Sequence, residues 1–114
     1  MSLAIKRLES NALRELSIIL SRQAKNDYLK RITITEVRIT NDLSFMTVYY
    51  TFYEGNKENY EQALAESNGY LRTALAKKLN ARKMPELIFK FDESLAYGNH
   101  IEELLKEYHD KHDN

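Results

Sequence analysis

The stretch from Arg31 to Tyr53 limits what the rest of the chain can be. Arg31-Ile32-Thr33-Ile34-Thr35-Glu36-Val37-Arg38-Ile39-Thr40 is rich in β-branched residues, and Asn41-Asp42-Leu43 supplies a turn. Phe45-Met46-Thr47-Val48-Tyr49-Tyr50-Thr51-Phe52-Tyr53 then forms a second run of the same kind. Two strand-forming runs joined this closely read as an antiparallel hairpin. Successive side chains alternate between its faces, so one apolar face has to meet other elements. The alternation also changes phase, from Ile32 and Ile34 to Val37 and Ile39. A shift of one residue predicts a bulge, or a late start, in the first strand.

Helices on either side supply the cover. Ser2 is a candidate N-cap, and Ile5, Leu8, Ala12, Leu16 and Ile19 recur at three- and four-residue steps. This spacing predicts a helix over about 3–24, with Asn26-Asp27 as its stop and 26–31 as a loop. At about 100° per residue, Arg7, Arg14 and Lys25 fall opposite the apolar stripe, with Arg22 nearby and Ile18 among them. A second helix is predicted from Lys57 to Ala81, carried by Tyr60, Ala63 and Leu64, then by Leu71, Ala74, Leu75 and Leu79. Ser67, Asn68 and Gly69 separate the two sets. Glycine inside a helix costs about 1 kcal/mol relative to alanine, and Ser and Asn compete for backbone hydrogen bonds. One long helix, broken or kinked at Ser67–Gly69, is the expectation.

Pro85 forces extended backbone at Met84. Glu86-Leu87-Ile88-Phe89-Lys90-Phe91-Asp92 reads as a third strand, with Leu87, Phe89 and Phe91 on one side. Ile101, Leu104, Leu105 and Tyr108 mark a short C-terminal helix after Gly98-Asn99. The order is helix, strand, strand, kinked helix, strand, short helix, which is α+β. At 114 residues the chain fits a single domain, predicted over 1–109 with a polar tail at 110–114.

Composition excludes several classes of function. There is no cysteine, which removes thiol catalysis and thiolate metal sites and favours a reducing, cytoplasmic setting. No apolar run approaches a membrane span, and Lys6-Arg7 stand where a signal peptide would need its apolar stretch. Ser-His-Asp spacing, a phosphate loop and a dinucleotide fingerprint are all absent. His109 and His112 in the terminal stretch read as solvated rather than as metal ligands. The expectation is a monomer with no enzymatic activity, no metal and no cofactor.

The 17 basic and 17 acidic side chains balance, but not locally. Residues 1–31 carry seven basic and three acidic groups, and residues 72–91 carry six basic groups against Glu86 alone. The segments 32–71 and 92–114 carry the acidic excess. Two positive blocks on a neutral chain fit a local anion-binding surface. Candidate phosphate contacts are Arg7, Arg14, Arg22, Lys25, Arg31, Arg72, Lys77, Lys78, Arg82 and Lys83. Solvated helix faces account for the same charges, and Lys77, Lys78, Arg82 and Lys83 also suit a helix C-terminus. Arg72 or Arg82 could instead pair with Asp92 or Glu86. Tyr70 could stack on a base, although core packing is the stronger expectation for it. A protein–protein adaptor, using the basic patch for an acidic partner, is the main alternative.

Several blocks in order resemble the bacterial ribosome-binding factor A family. Ile32-Thr33-Ile34-Thr35-Glu36-Val37 and Thr40-Asn41-Asp42-Leu43-Ser44 match its hairpin, followed by Val48-Tyr49. Gly69-Tyr70-Leu71-Arg72, Leu79-Asn80-Ala81-Arg82, Pro85-Glu86-Leu87, Phe91-Asp92-Glu93-Ser94 and Tyr97-Gly98-Asn99-His100-Ile101-Glu102 continue the match, from about residue 5 to residue 105. The resemblance implies a type II KH-like fold, with a three-stranded sheet covered by helices on one face. KH domains ordinarily hold RNA with a Gly-x-x-Gly loop, which Gly55, Gly69 and Gly98 cannot form. The family has an Ala-x-Gly helix kink instead, and Ser67-Asn68-Gly69 stands at that place. Two further departures are Asn26–Arg31, in place of a common Asp-Pro-Arg, and Met46, in place of a smaller residue. The resemblance further implies a non-catalytic assembly factor that binds the free small (30S) ribosomal subunit, assists 16S rRNA maturation and serves cold adaptation.

Overall fold

The computed structural model describes residues 2–94. The predicted C-terminal helix, the boundary at 109, the tail at 110–114, His109, His112 and the stretch Tyr97–Glu102 lie outside the described residues.

Helix α1 (Leu3–Ile18) begins where its cap predicts, with Ile5 N donating to Ser2 Oγ at 3.3 Å. Ala12 and Leu16 are fully buried, and Ile5, Leu8 and Leu13 pack partly against the same core. The regular helix stops earlier than predicted. It widens into a π-helical turn over Ile19–Gln23, closed by Ala24 N donating to Ile19 O at 3.0 Å. Such a turn adds a residue to the hydrogen-bond ladder, and here Ile19, Leu20 and Ala24 are buried while Arg22 stays exposed.

Asn26 acts as the start of a helical turn rather than only as a stop. Its Oδ1 accepts from Tyr28 N at 2.8 Å and caps helix α2 (Asp27–Lys30), where a loop was expected. Leu29 anchors this turn in the core, and the Tyr28 ring meets Tyr60 edge-on at 5.2 Å.

Strands β1 (Thr33–Ile39) and β2 (Phe45–Thr51) pair antiparallel, and β3 (Glu86–Phe91) joins β2 in parallel to give the order β1-β2-β3. The predicted bulge is present at Thr35. Register passes from Ile34 opposite Tyr50 to Glu36 opposite Tyr49, and the Thr35 hydroxyl donates to Asp92 Oδ2 at 2.6 Å. The shift puts Ile34, Val37 and Ile39 on one face with Met46, Val48 and Tyr50, and with Leu87, Phe89 and Phe91. That face packs against the helices. The other face carries Glu36, Arg38, Phe45, Thr47, Tyr49, Ile88 and Lys90. β2 ends two residues earlier than predicted, and Tyr53 is 97% exposed.

Helix α3 (Lys57–Leu79) runs through Ser67, Asn68 and Gly69 without interruption, so of the two expectations, a break or a kink, the break is overturned. Leu64, Leu71 and Leu75 are buried on either side of Gly69. Each fully buried leucine contributes about 1.5–3 kcal/mol, which outweighs the roughly 1 kcal/mol cost of the glycine. Asn68 does not compete for the helix backbone, because its Nδ2 donates across to Leu87 O at 3.1 Å. The helix closes on Asn80 in the left-handed conformation (φ 52°).

The Tyr60 ring, fully buried, stacks on Phe52 at 3.9 Å, and its hydroxyl donates to Glu54 O at 2.7 Å. Gly55, at φ 110°, makes the turn into α3 directly beside this ring.

Candidate nucleic-acid interface

Three contacts fix how the two long helices lie. The Glu9 carboxylate accepts from Ile39 N at 2.8 Å, which places the first half of α1 at the turn end of the hairpin. The chain leaving α3 returns to that same end, where Glu86 N donates to Ser44 O at 3.0 Å. Tyr28 against Tyr60 places α2 beside the first turns of α3. The helices therefore run antiparallel, and the end of α3 approaches the N-terminal half of α1.

This arrangement gives α3 two different flanks. Residues two apart on a helix point about 200° away from each other, so Tyr70 and Arg72 cannot serve the same surface. Toward α1 and α2, Glu66, Ser67 and Tyr70 line a groove of about 400 Å³ together with Ala24, Lys25, Asn26 and Leu29. Tyr70 also borders a smaller depression of about 260 Å³ with Thr73, Ala74, Lys77 and Lys78. Tyr70 is 50% exposed, so the expectation that it packs in the core does not hold. Lys25 from the first positive block and Lys77 and Lys78 from the second thus flank one aromatic side chain. Glu66 interrupts the strip, with its Oε1 accepting from Gln62 Nε2 at 3.0 Å.

The remaining candidates divide into three sets. Arg7, Arg14 and Arg22 are exposed on α1 and its π-helical turn, away from the buried stripe. Only Arg14 among them has partners among the described residues, Asn11 Oδ1 at 3.5 Å and Glu15 at 3.7 Å, both long contacts at an exposed site. Ile18, placed by the sequence within this basic surface, is half-buried. Arg82 is exposed and makes no hydrogen bond or ion pair among the described residues.

Arg31 and Lys83 stand apart from the strip. The Arg31 guanidinium sits 5.8 Å from the centre of the Tyr28 ring. Lys83 Nζ donates to Asp42 O at 3.3 Å, over the hairpin turn. The Asp42 carboxyl there is held below the usual carboxylate range, first by the hydrogen bond from Ser44 N and then by the Thr40 hydroxyl, with the Lys83 charge a smaller cause.

Arg72 differs from the other candidates in being held by the fold. Its Nη2 donates to Met84 O at 2.6 Å and its Nε to Pro85 O at 3.1 Å, so the guanidinium fastens the approach to β3. Its partners among the described residues are backbone carbonyls, not the carboxylates of Asp92 or Glu86 considered from the sequence. The missed signal is the four-residue step from Asn68 to Arg72, which puts both donors over the Met84–Leu87 backbone.

No described helix is long and apolar enough to cross a membrane. Among the described residues, no cluster of three or more His, Asp or Glu side chains could hold a metal ion.

The family model described as ribosome-binding factor A matches residues 4–105. The chain belongs to the ribosome-binding factor A family. A Phytoplasma mali ribosome-binding factor A is 41% identical over 110 residues, 93% of this chain and 96% of that protein. An Enterococcus faecalis relative of the same name is 38% identical over 104 residues, 89% of this chain and 90% of that protein. The crystal structure of ribosome-binding factor A from Thermus thermophilus superposes with a TM-score of 0.68 at 27% identity, covering 75% of this chain and 93% of that one. A Thermus thermophilus homology model fitted into the cryo-EM map of a 30S complex gives 0.65 at 28% identity, covering 76% and 93%. The helix-strand-strand-helix-strand order and the parallel third strand make this an α+β, KH-like domain, as the resemblance implied.

Proposed function

We propose that this ribosome-binding factor A homologue binds the free small (30S) ribosomal subunit, in the cytoplasm, and assists maturation of 16S rRNA without catalysing a reaction. Phosphate contacts come from Arg7, Arg14, Arg22, Lys25, Lys77, Lys78 and Arg82, with Arg31 and Lys83 at the edges and Arg72 excluded. The single supporting observation is that Lys25 and Lys77–Lys78, 52 and 53 positions apart in the sequence, border depressions on either side of Tyr70. Ser67, from the element that stands where the family has its helix kink, lines the same groove. The relative fitted into a 30S complex is consistent with this partner.

Such a domain works by differential affinity. It stabilises the RNA conformation that fits the cationic surface, shifts the population toward it, and needs no general acid or base. Co-sedimentation with isolated small subunits at increasing salt tests the reading. Binding should weaken steeply with salt and be absent for large subunits. Arg7→Glu together with Arg14→Glu should flatten the log–log salt slope by roughly 0.7–0.9 for each phosphate no longer neutralised. Equal binding to both subunits, or an unchanged slope, would overturn the proposal.

A further inference from the structure

Tyr70 is half exposed although Leu71, its neighbour in the chain, is fully buried. It stands as a partition between two depressions. On one side Ala24 and Leu29 give apolar lining, and Lys25 and Asn26 line the same groove. On the other side Ala74 gives apolar lining, and Lys77 and Lys78 line the same depression. An aromatic face with apolar walls and cations to either side suits one ligand chemistry, a planar base joined to phosphates before and after it.

The carboxylate in the groove sharpens the assignment. Glu66 lines the same space as Lys25 and Tyr70. A phosphate inside the groove would meet that negative charge at short range, whereas an uncharged base would not. The favourable arrangement keeps phosphates outside, on the lysines, with the base inside against the ring. A base can enter in this way only when it is unpaired, because in a duplex its faces are already stacked on its neighbours.

We propose that Tyr70 is a stacking platform for one unpaired RNA base, with Lys25 and the Lys77–Lys78 pair holding the phosphates on either side. This deepens the reading given under Proposed function and rests on it. It adds that the surface selects single-stranded RNA at this point, a preference that cations alone do not supply. Arg7, Arg14 and Arg22 contribute charge to the same encounter without choosing between paired and unpaired strands.

The test uses the full chain and a single-stranded oligoribonucleotide of mixed sequence, roughly eight nucleotides long, compared with the same strand annealed to its complement. Tyr70→Ala should weaken single-strand binding by roughly five- to 150-fold, the equivalent of losing one aromatic–base stack. Tyr70→Phe should retain binding, Tyr70→Leu should not, and none of the three should alter the salt slope. Lys25→Ala with Lys77→Ala and Lys78→Ala should flatten the slope by about 0.7 for each phosphate left without its lysine. Thermal melts of the variants confirm that they are folded.

Unchanged binding by Tyr70→Ala, equal binding by the leucine and phenylalanine variants, or equal affinity for duplex and single strand would each overturn the stacking proposal. If small-subunit binding still falls with the lysine variants in that case, the broader reading survives without the platform. If the lysine variants bind subunits with unchanged affinity and slope, both readings fail together.

Discussion

The two flanks of helix α3 carry similar side chains and use them in opposite ways. On the flank toward β3, Asn68 and Arg72 donate to the carbonyls of Leu87, Met84 and Pro85. These bonds tie the helix to the backbone that enters the parallel strand. On the opposite flank, Tyr70 stands at the surface between Lys25 and the Lys77–Lys78 pair. One arginine holds the fold together, while lysines one and a half turns later remain available to an outside anion. Cationic residues on one helix therefore differ according to what lies within reach of their heads. A carbonyl at 2.6 Å occupies an arginine that the sequence offers on equal terms with its neighbours.

The sharpest way to break this contrast is Arg72→Ala. Removing a guanidinium that bonds two carbonyls at a partly exposed site should destabilise the fold by about 2 kcal/mol, read as a lower urea midpoint. Small-subunit affinity per folded molecule and its salt slope should not change. If the slope falls instead, Arg72 belongs with the binding residues and the contrast is wrong.

Lys77→Ala with Lys78→Ala should behave in the opposite way. Subunit affinity near physiological salt should fall by about tenfold, equivalent to about 1.4 kcal/mol, while stability changes by no more than about 0.5–1 kcal/mol from the lost helix-end interaction. A large drop in the urea midpoint with intact binding would reverse the roles of the two flanks.

Gly69→Ala comes next in size. A methyl group there meets nothing within 4 Å, so the substitution should stabilise the helix by roughly 0.5–1 kcal/mol. If subunit binding weakens even so, a bend at Ser67–Gly69 matters for binding. If binding is unchanged, the glycine is dispensable to it.

The smallest effect is confined to alkaline pH. Tyr50 lies under the β3 side of α3, and burial, with a smaller contribution from the Glu61 charge, pushes its phenol up from the ordinary value. The folded state therefore holds that proton more tightly than the unfolded chain does. The associated stability is complete below the ordinary phenol pKa of about 10 and is lost as pH rises through the folded value. Urea midpoints followed across that range should fall less steeply for Tyr50→Phe than for the parent chain. The β3 flank should thus answer to alkali, and the α1 flank to salt.

Different parts of the molecule were legible in the sequence to different degrees. The bulge at Thr35 was readable because a strand has period two, and a one-residue slip moves every later side chain to the other face. Val37 and Ile39 announce that slip by themselves. The π-helical turn at Ile19–Gln23 and the short helix at Asp27–Lys30 were not readable. Each depends on where Leu20, Ala24 and Leu29 find cavities to fill, and local periodicity is nearly the same with or without them. Ser67-Asn68-Gly69 left a break and a kink equally open in the sequence, and only the break is excluded. Local preferences argued for a break, but buried leucines on both sides and the Asn68 bond to β3 outweighed them.

The chain's residues alone determined the hairpin, its phase, the parallel third strand's apolar side, and the presence of two positive blocks. All of these follow from short-range rules of alternation and composition. Which cations still face outward, which one is taken up by a carbonyl, and that Lys25 and Lys77–Lys78 share Tyr70 were settled only when antiparallel helices were laid on the sheet. A side chain's role depends on the groups it can reach, and those come from segments distant along the chain.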